Sequence, residues 1–205
     1  MDNSLLATHK WPRELSKDGH LSAWIVIERE AWALLQQRGH LNCPSSLAEP
    51  DFHAAYAWMV DQMCTAGLRP PEKNQTPWWV WVRRDRGQLS PYLEDLQGVL
   101  DPIVLALRLP AAEVVLSNFD TWHDVLNEGY IQSSDEDGIE FESLSEPLEI
   151  DRRLKASWTE IFQLDRQHGV SVSPMDISIQ GCIWTLRQEY VLGVVPNDQL
   201  PLIEQ

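Results

Sequence analysis

The residues best placed for chemistry lie in the stretch Val114–Tyr130, VVLSNFDTWHDVLNEGY. His123 and Asn127 are four apart, which on a helix makes them neighbours on one flank. As a pair they could hold a ligand at the rim of a cleft. Read structurally, the imidazole is a core-edge group bonded to the asparagine or to a backbone carbonyl. Trp79 and Trp81 recur at the two-residue period of a strand and so share a face. There they could stack a base or a nicotinamide ring, or simply build core. Trp58 and Gln62 are four apart beside an apolar helical stripe of Phe52, Ala55, Tyr56, Met59 and Met63.

Other chemistries fail on motif grounds. The chain has no G-x-S-x-G elbow, H-E-x-x-H, Walker A or G-x-G-x-x-G. Paired carboxylates occur only in an acidic run, where nothing apolar would raise a pKa for acid catalysis. Cys43, Cys64 and Cys182 are far apart, with no Cys-x-x-Cys and no histidine at ligand spacing, so no metal site is expected. Cys182 with His123 is the single thiol–imidazole combination, and nothing local supports it.

These side chains need a frame, and the composition supplies one. In 205 residues, 43% are apolar and ten are tryptophan, enough for one well-buried domain and too apolar for disorder. The formal charge is −15, and the segment from Ser133 to Asp151 holds eight acids with no Lys or Arg, about half of the excess. Such acidity argues against nucleic acid. It suits a basic protein partner; the plainer reading is a solvated acidic loop that aids solubility. An odd cysteine count and no apolar leader point to a reduced, cytoplasmic protein. No apolar run approaches 18 residues, so no membrane span is expected.

Along the chain, residues 1–22 read as a polar extension with a turn at Asp18-Gly19. Ala23–Ile27 is a strand buried on both faces, and Glu28–Arg38 a helix stopped by Gly39. A loop follows over His40–Pro50, then a helix opening at Asp51, and the tryptophan strand Trp78–Val82. Arg83–Arg86 is basic and turn-like, and Pro91–Leu96 a helical turn. Ile103–Leu109 is a strand. Val114–Leu116 ends another, with Ser117 as helix N-cap and Asp120 in the capping-box position. Phe119, Trp122, Leu126 and Tyr130 face inward. After the acidic loop at 133–151 come a helix over Arg152–Leu164 and a closing segment, strand-like over Ile179–Leu186, then a tail at 197–205. The expectation is a single α+β domain over residues 23–196, with a mixed or mostly antiparallel sheet and about four helices.

Five segments in order, AYAWMVDQM (55–63), PWWVW (77–81), VVLSNFDTWHDVLN (114–127), SWTEIFQL (157–164) and IQGCIWTLRQEYV (179–191), give the chain a specific likeness. It resembles bacterial domain-of-unknown-function family 3841 from about Trp24 to Val195. The resemblance carries over positions without a reaction: Tyr56, Trp58, Gln62, Pro77, Trp81, Ser117, Phe119, Trp122, His123, Asn127, Ser157, Trp158, Gln180 and Trp184. Two departures stand out. Relatives tend to have Pro-Asp-Leu-Arg where this chain has Pro91-Tyr92-Leu93-Glu94, and Glu where it has Thr185.

At the level of fold, the pattern is also similar to small ADP-ribosyltransferases, which implies NAD as cofactor or nucleotide ligand. On that likeness Tyr56, Trp79 or Trp81 would stack the nicotinamide. Gln180 or Glu189 would take the late-strand position that stabilises the oxocarbenium-like transition state, and His123 would bind the diphosphate-ribose, with Gln62 and Asn127 beside it. The competing expectation is a non-catalytic acidic interaction protein of the immunity, antitoxin or anti-defence kind. An enzyme should bring His123, Asn127, Gln62 and Gln180 together in one concave pocket. An interaction protein should bury them separately and present an acidic face.

Overall fold

The computed structural model describes residues 16–84 and 91–200. A short strand β1 (Ser16–Lys17) turns through Asp18 and Gly19, both at positive φ, into the nine-residue β2 (His20–Glu28). Two consecutive positive-φ residues match the twist of a two-residue hairpin, which an Asp-Gly pair adopts readily. The sheet therefore already includes residue 16, inside the stretch expected as an extension; residues 1–15 lie outside the described residues.

Helix α1 (Arg29–Arg38) ends at Gly39, whose φ of 76° lets its N–H reach the Leu35 carbonyl. The loop expected next contains strand β3 (His40–Pro44), followed by 3-10 turns at Ser45–Leu47 and Pro50–Phe52 and helix α2 (His53–Thr65). Then come β4 (Gln75–Thr76), β5 (Trp78–Arg83), β6 (Pro102–Pro110), β7 (Val115–Asn118) and α3 (Phe119–Leu126). The helical turn expected near Pro91–Leu96 is a 3-10 turn at Leu93–Leu96, while most of the basic turn after β5 lies outside the described residues.

The expected acidic loop at 133–151 is instead helical, forming α4 (Asp135–Glu142) and the start of α5 (Pro147–Ser157). The cause is local capping. The Ser134 hydroxyl accepts from the Asp137 N–H at 3.2 Å, and three acids in the first turn of α4 face the positive end of its dipole. Pro147 begins α5, where its missing N–H costs nothing. A 3-10 turn over Trp158–Phe162 finishes this region. The chain closes with β8 (Arg166–Gln167), β9 (Val170–Ser171), β10 (Ile179–Ile183), β11 (Thr185–Arg187) and β12 (Val191–Val195). The expected tail starts with a 3-10 turn at Asn197–Gln199 and a buried Leu200.

The main sheet runs β12-β6-β2-β5-β10-β7, with β1 on β2, and every pairing in it is antiparallel. A smaller sheet, β11-β3-β4, stands beside it, so the stretch expected as one strand over 179–186 changes sheets at Trp184. The domain is α+β with five helices among the described residues. No helix of those residues is long and apolar enough to cross a membrane.

Period-two alternation places the two faces of the sheet. One face carries Leu21, Ile25, Val80, Val82, Leu105 and Leu107, covered by α1 through Leu35 and by Leu41 and Leu186 of the small sheet. The other carries Trp79, Val115 and Cys182, covered by α2, α3 and the 158–162 turn. Met59, Met63 and Trp158 are fully buried there, each contributing roughly 1.5–3 kcal/mol.

Candidate functional site

Helix α3 is held at its start by Asn118, not by the expected Ser117. The Asn118 Oδ1 accepts from the amides of Asp120 (2.9 Å) and Thr121 (3.3 Å). The shift has a tertiary cause, since β7 extends to Asn118 by pairing it with Ile179. Ser117 is thereby kept in the strand, fully buried, and its Oγ accepts from Gln180 Nε2 at 3.2 Å.

Cross-strand register lines up Trp24, Trp81, Gln180 and Ser117 in one row over β2, β5, β10 and β7. Trp24 and Trp81 stack at 5.5 Å between centroids, and Phe119 of α3 tilts against Trp81 at 4.5 Å. The Arg84 guanidinium lies 4.5 Å over the Trp81 ring and pairs with Asp95 at 3.3 Å. Trp81, half-buried, is thus contacted by Trp24, Phe119 and Arg84 among the described residues.

The adjoining row is Trp79, Cys182 and Val115. Tyr56 stands edge-on to Trp79 (5.8 Å) and Trp122 (6.3 Å), and Trp79 tilts against Trp122 at 4.8 Å. Burial pushes the Tyr56 phenol up in pKa and the Cys182 thiol well up. The Trp79 and Trp184 indole N–H groups and the Thr121 hydroxyl are buried here without a hydrogen-bond partner among the described residues.

Among the described residues no hydrogen bond joins the side chains of the polar candidates to one another. His123 is exposed; its Nδ1 lies 3.0 Å from the Phe119 carbonyl and its ring edge abuts the Phe119 ring. Asn127, also exposed, donates to the His123 carbonyl at 2.7 Å rather than to the imidazole. Gln62 is half-buried on α2, one turn beyond Trp58, which packs on Trp158 and Phe162. Glu189 is exposed in the 3-10 turn between β11 and β12, whose Tyr190 is buried against the opposite face of the sheet. Among the described residues, no group of three or more His, Cys, Asp or Glu is placed to hold a metal ion.

Two other polar assemblies gave no sequence signal. Across α4 and α5, Asp137 accepts from the Tyr130 hydroxyl (2.7 Å), the Ser133 amide (2.9 Å) and Arg153 (2.9 Å). The Ser133 amide first, then the Tyr130 hydroxyl, hold its carboxyl below the ordinary aspartate range. Arg153 also pairs with Glu140 at 2.7 Å, and Tyr130 stacks flat on Phe141 at 3.8 Å. Around this core Asp135, Glu136, Glu142 and Glu146 are exposed, together with Ile139 at 68% and Leu148 at 88% exposure. The second assembly lies where β3, β4 and β11 meet. The Thr185 hydroxyl donates to Asn42 Oδ1 at 2.8 Å, and Asn42 Nδ2 donates to Glu72 Oε1 at 2.8 Å. The partners are 143 and 30 residues apart, beyond any spacing rule.

A model of the family described as domain of unknown function (DUF3841) matches residues 19–192. No curated protein and no solved structure matches the chain.

Proposed function

This chain belongs to the family described as domain of unknown function (DUF3841), and from there we propose that it is a non-catalytic interaction protein whose α4–α5 hairpin binds a basic protein partner. The observation that carries this reading is Leu148, 88% exposed, on a hairpin that also exposes Ile139, Asp135, Glu136, Glu142 and Glu146. Exposed apolar residues on a hairpin where acids outnumber bases suit a partner with an apolar patch beside basic groups. The Asp137–Arg153–Glu140 bonds fix the hairpin, so little ordering cost is left for binding. His123 and Asn127 are exposed and bond to carbonyls of their own helix, and Gln180 bonds Ser117 of the neighbouring strand. The test is parallel affinity capture with the wild type, Leu148→Glu, Glu142→Lys/Glu146→Lys and, as control, Leu100→Glu at another exposed leucine. A basic protein held by the wild type and the control, lost with both hairpin variants and released near 1 M salt, where the screening length is about 3 Å, supports the reading. Equal capture by all four proteins overturns it.

One observation favours a second reading, an NAD-using enzyme similar to ADP-ribosyltransferases. Buried donors without acceptors call for an explanation, and the Trp79 and Trp184 indoles lie in the core cluster whose Trp79 meets Tyr56. In this reading Tyr56 and Trp79 would flank the nicotinamide, Gln180 would face the ribose, and His123 and Asn127 the diphosphate. Thermal unfolding with millimolar NAD tests it. A ligand at 100 times its dissociation constant adds about 2.7 kcal/mol, and the absence of any shift sinks this reading.

A further inference from the structure

The region where β3, β4 and β11 meet holds a surface cleft of about 290 Å³, lined by Arg38, His40, Asn42, Glu72, Lys73 and Gln75. Its lining is mixed, since Leu41 and Pro44 join these polar groups, and part of it is fixed from below. The Thr185 hydroxyl, 9% exposed, orients the Asn42 amide, and that amide holds one oxygen of Glu72. Gln75 is 7% exposed, its Oε1 accepts the Glu72 amide at 3.3 Å, and its Nε2 is buried without an acceptor among the described residues. A buried amide donor left open in this way calls for an explanation, and this one belongs to a residue that lines the cleft.

The charges add a second observation. Arg29, Arg84, Arg152, Arg153 and Lys155 each pair with a carboxylate. Arg38 and Lys73, like several other described cations, have none within 4 Å, and these two line one cleft. Two open cations beside an oriented carboxylate and two amides make a mixed site. Cations bind a phosphate or similar anion, whereas a carboxylate and an amide bind hydroxyls.

We propose that this cleft binds a phosphorylated sugar, with the phosphate on Arg38 and Lys73 and the sugar hydroxyls on Glu72 and the Asn42 and Gln75 amides. The site goes beyond the partner-binding reading and shares no residue with the α4–α5 hairpin.

Calorimetric titration of the whole chain with ribose 5-phosphate, inorganic phosphate and ribose decides the matter. Ribose 5-phosphate should bind more tightly than either fragment. Arg38→Ala/Lys73→Ala should weaken both ribose 5-phosphate and phosphate by about tenfold or more, and Glu72→Gln should weaken ribose 5-phosphate alone. All three positions are exposed, so the variants should fold, and an unchanged melting temperature checks this. Amide shifts at Asn42 and Gln75 in NMR spectra on titration give an independent readout. Failure of ribose 5-phosphate to bind overturns the proposal, as does equal affinity for phosphate and ribose 5-phosphate, or binding indifferent to the double variant. Leu148→Glu should leave this binding intact, so the two proposals can fail separately.

Discussion

Gln180 Nε2 donates to Ser117 Oγ at 3.2 Å in the buried interior, tying β10 to β7 directly beneath α3, across 63 residues of sequence. The two side chains continue the row that starts at Trp24 and Trp81, so a polar pair stands beside an aromatic one on the same sheet face.

Replacing Ser117 by alanine strands the Gln180 donor. Ser117→Ala should destabilise by about 1–3 kcal/mol in urea unfolding. Ser117→Ala with Gln180→Leu should cost less than the sum of the single changes, because no donor is then left unpaired. Strict additivity would mean that the bond contributes nothing.

Two strand glycines make a matched pair. A Cβ on Gly181 would lie 2.7 Å from Val114 Cγ1 and 3.2 Å from Val80 Cγ2, while one on Gly193 would meet nothing within 4 Å. Gly181→Ala should therefore cost roughly 1–3 kcal/mol through overpacking, and Gly193→Ala should stay within about 0.5 kcal/mol of the wild type. Melting temperatures of the two variants check this, and equal shifts would contradict it.

Asp137 sets an acid dependence. Its folded pKa is depressed, so its stabilisation is present above the unfolded aspartate value of about 3.9 and is lost as pH falls through the lower folded value. Asp137→Asn should be less stable than the wild type near pH 6, with the gap narrowing below about pH 4. A gap that does not change with pH would remove the ionised carboxylate from the account.

The thiols differ in reach. Cys43 is buried, and desolvation pushes its pKa up to about 11; Cys182 is buried and desolvation raises it well above the ordinary value, while Cys64 is half-buried. Ellman's reagent at neutral pH should label Cys64 before the other two, and all three only after unfolding. Fast native labelling of Cys182 would contradict its place in the core.

What the sequence disclosed follows from where each element gets its information. The strands β2, β5 and β6 and the helix α1 carry their apolar pattern and stop signals locally, and the Asp18-Gly19 turn is chemically explicit. Strand β3, HLNCP, has a weak intrinsic pattern and exists because β4 and β11 pair with it. Helix α4 and the first half of α5 were hidden because neither helix buries a side chain fully; the helix expected over Arg152–Leu164 caught only the second half of α5. Among the candidate side chains, Tyr56 and Trp79 were legible as core-facing aromatics and do meet. The directions of His123 and Asn127 were not legible, since each bonds a carbonyl of its own helix, an outcome the four-residue spacing allows equally well.

The place of β10 between β5 and β7 carries a cost in time. During synthesis β5 is complete at Arg83, but the strand that covers its open side begins at Ile179. At typical translation rates that wait is on the order of ten seconds. During it the tryptophan-rich edge of β5, joined after Asn118 by the edge of β7, offers unpaired backbone to any passing strand. The nascent chain is therefore most exposed to misassembly late in its production, and slowed translation between β7 and β10 should lower soluble yield without changing the stability of the protein that folds.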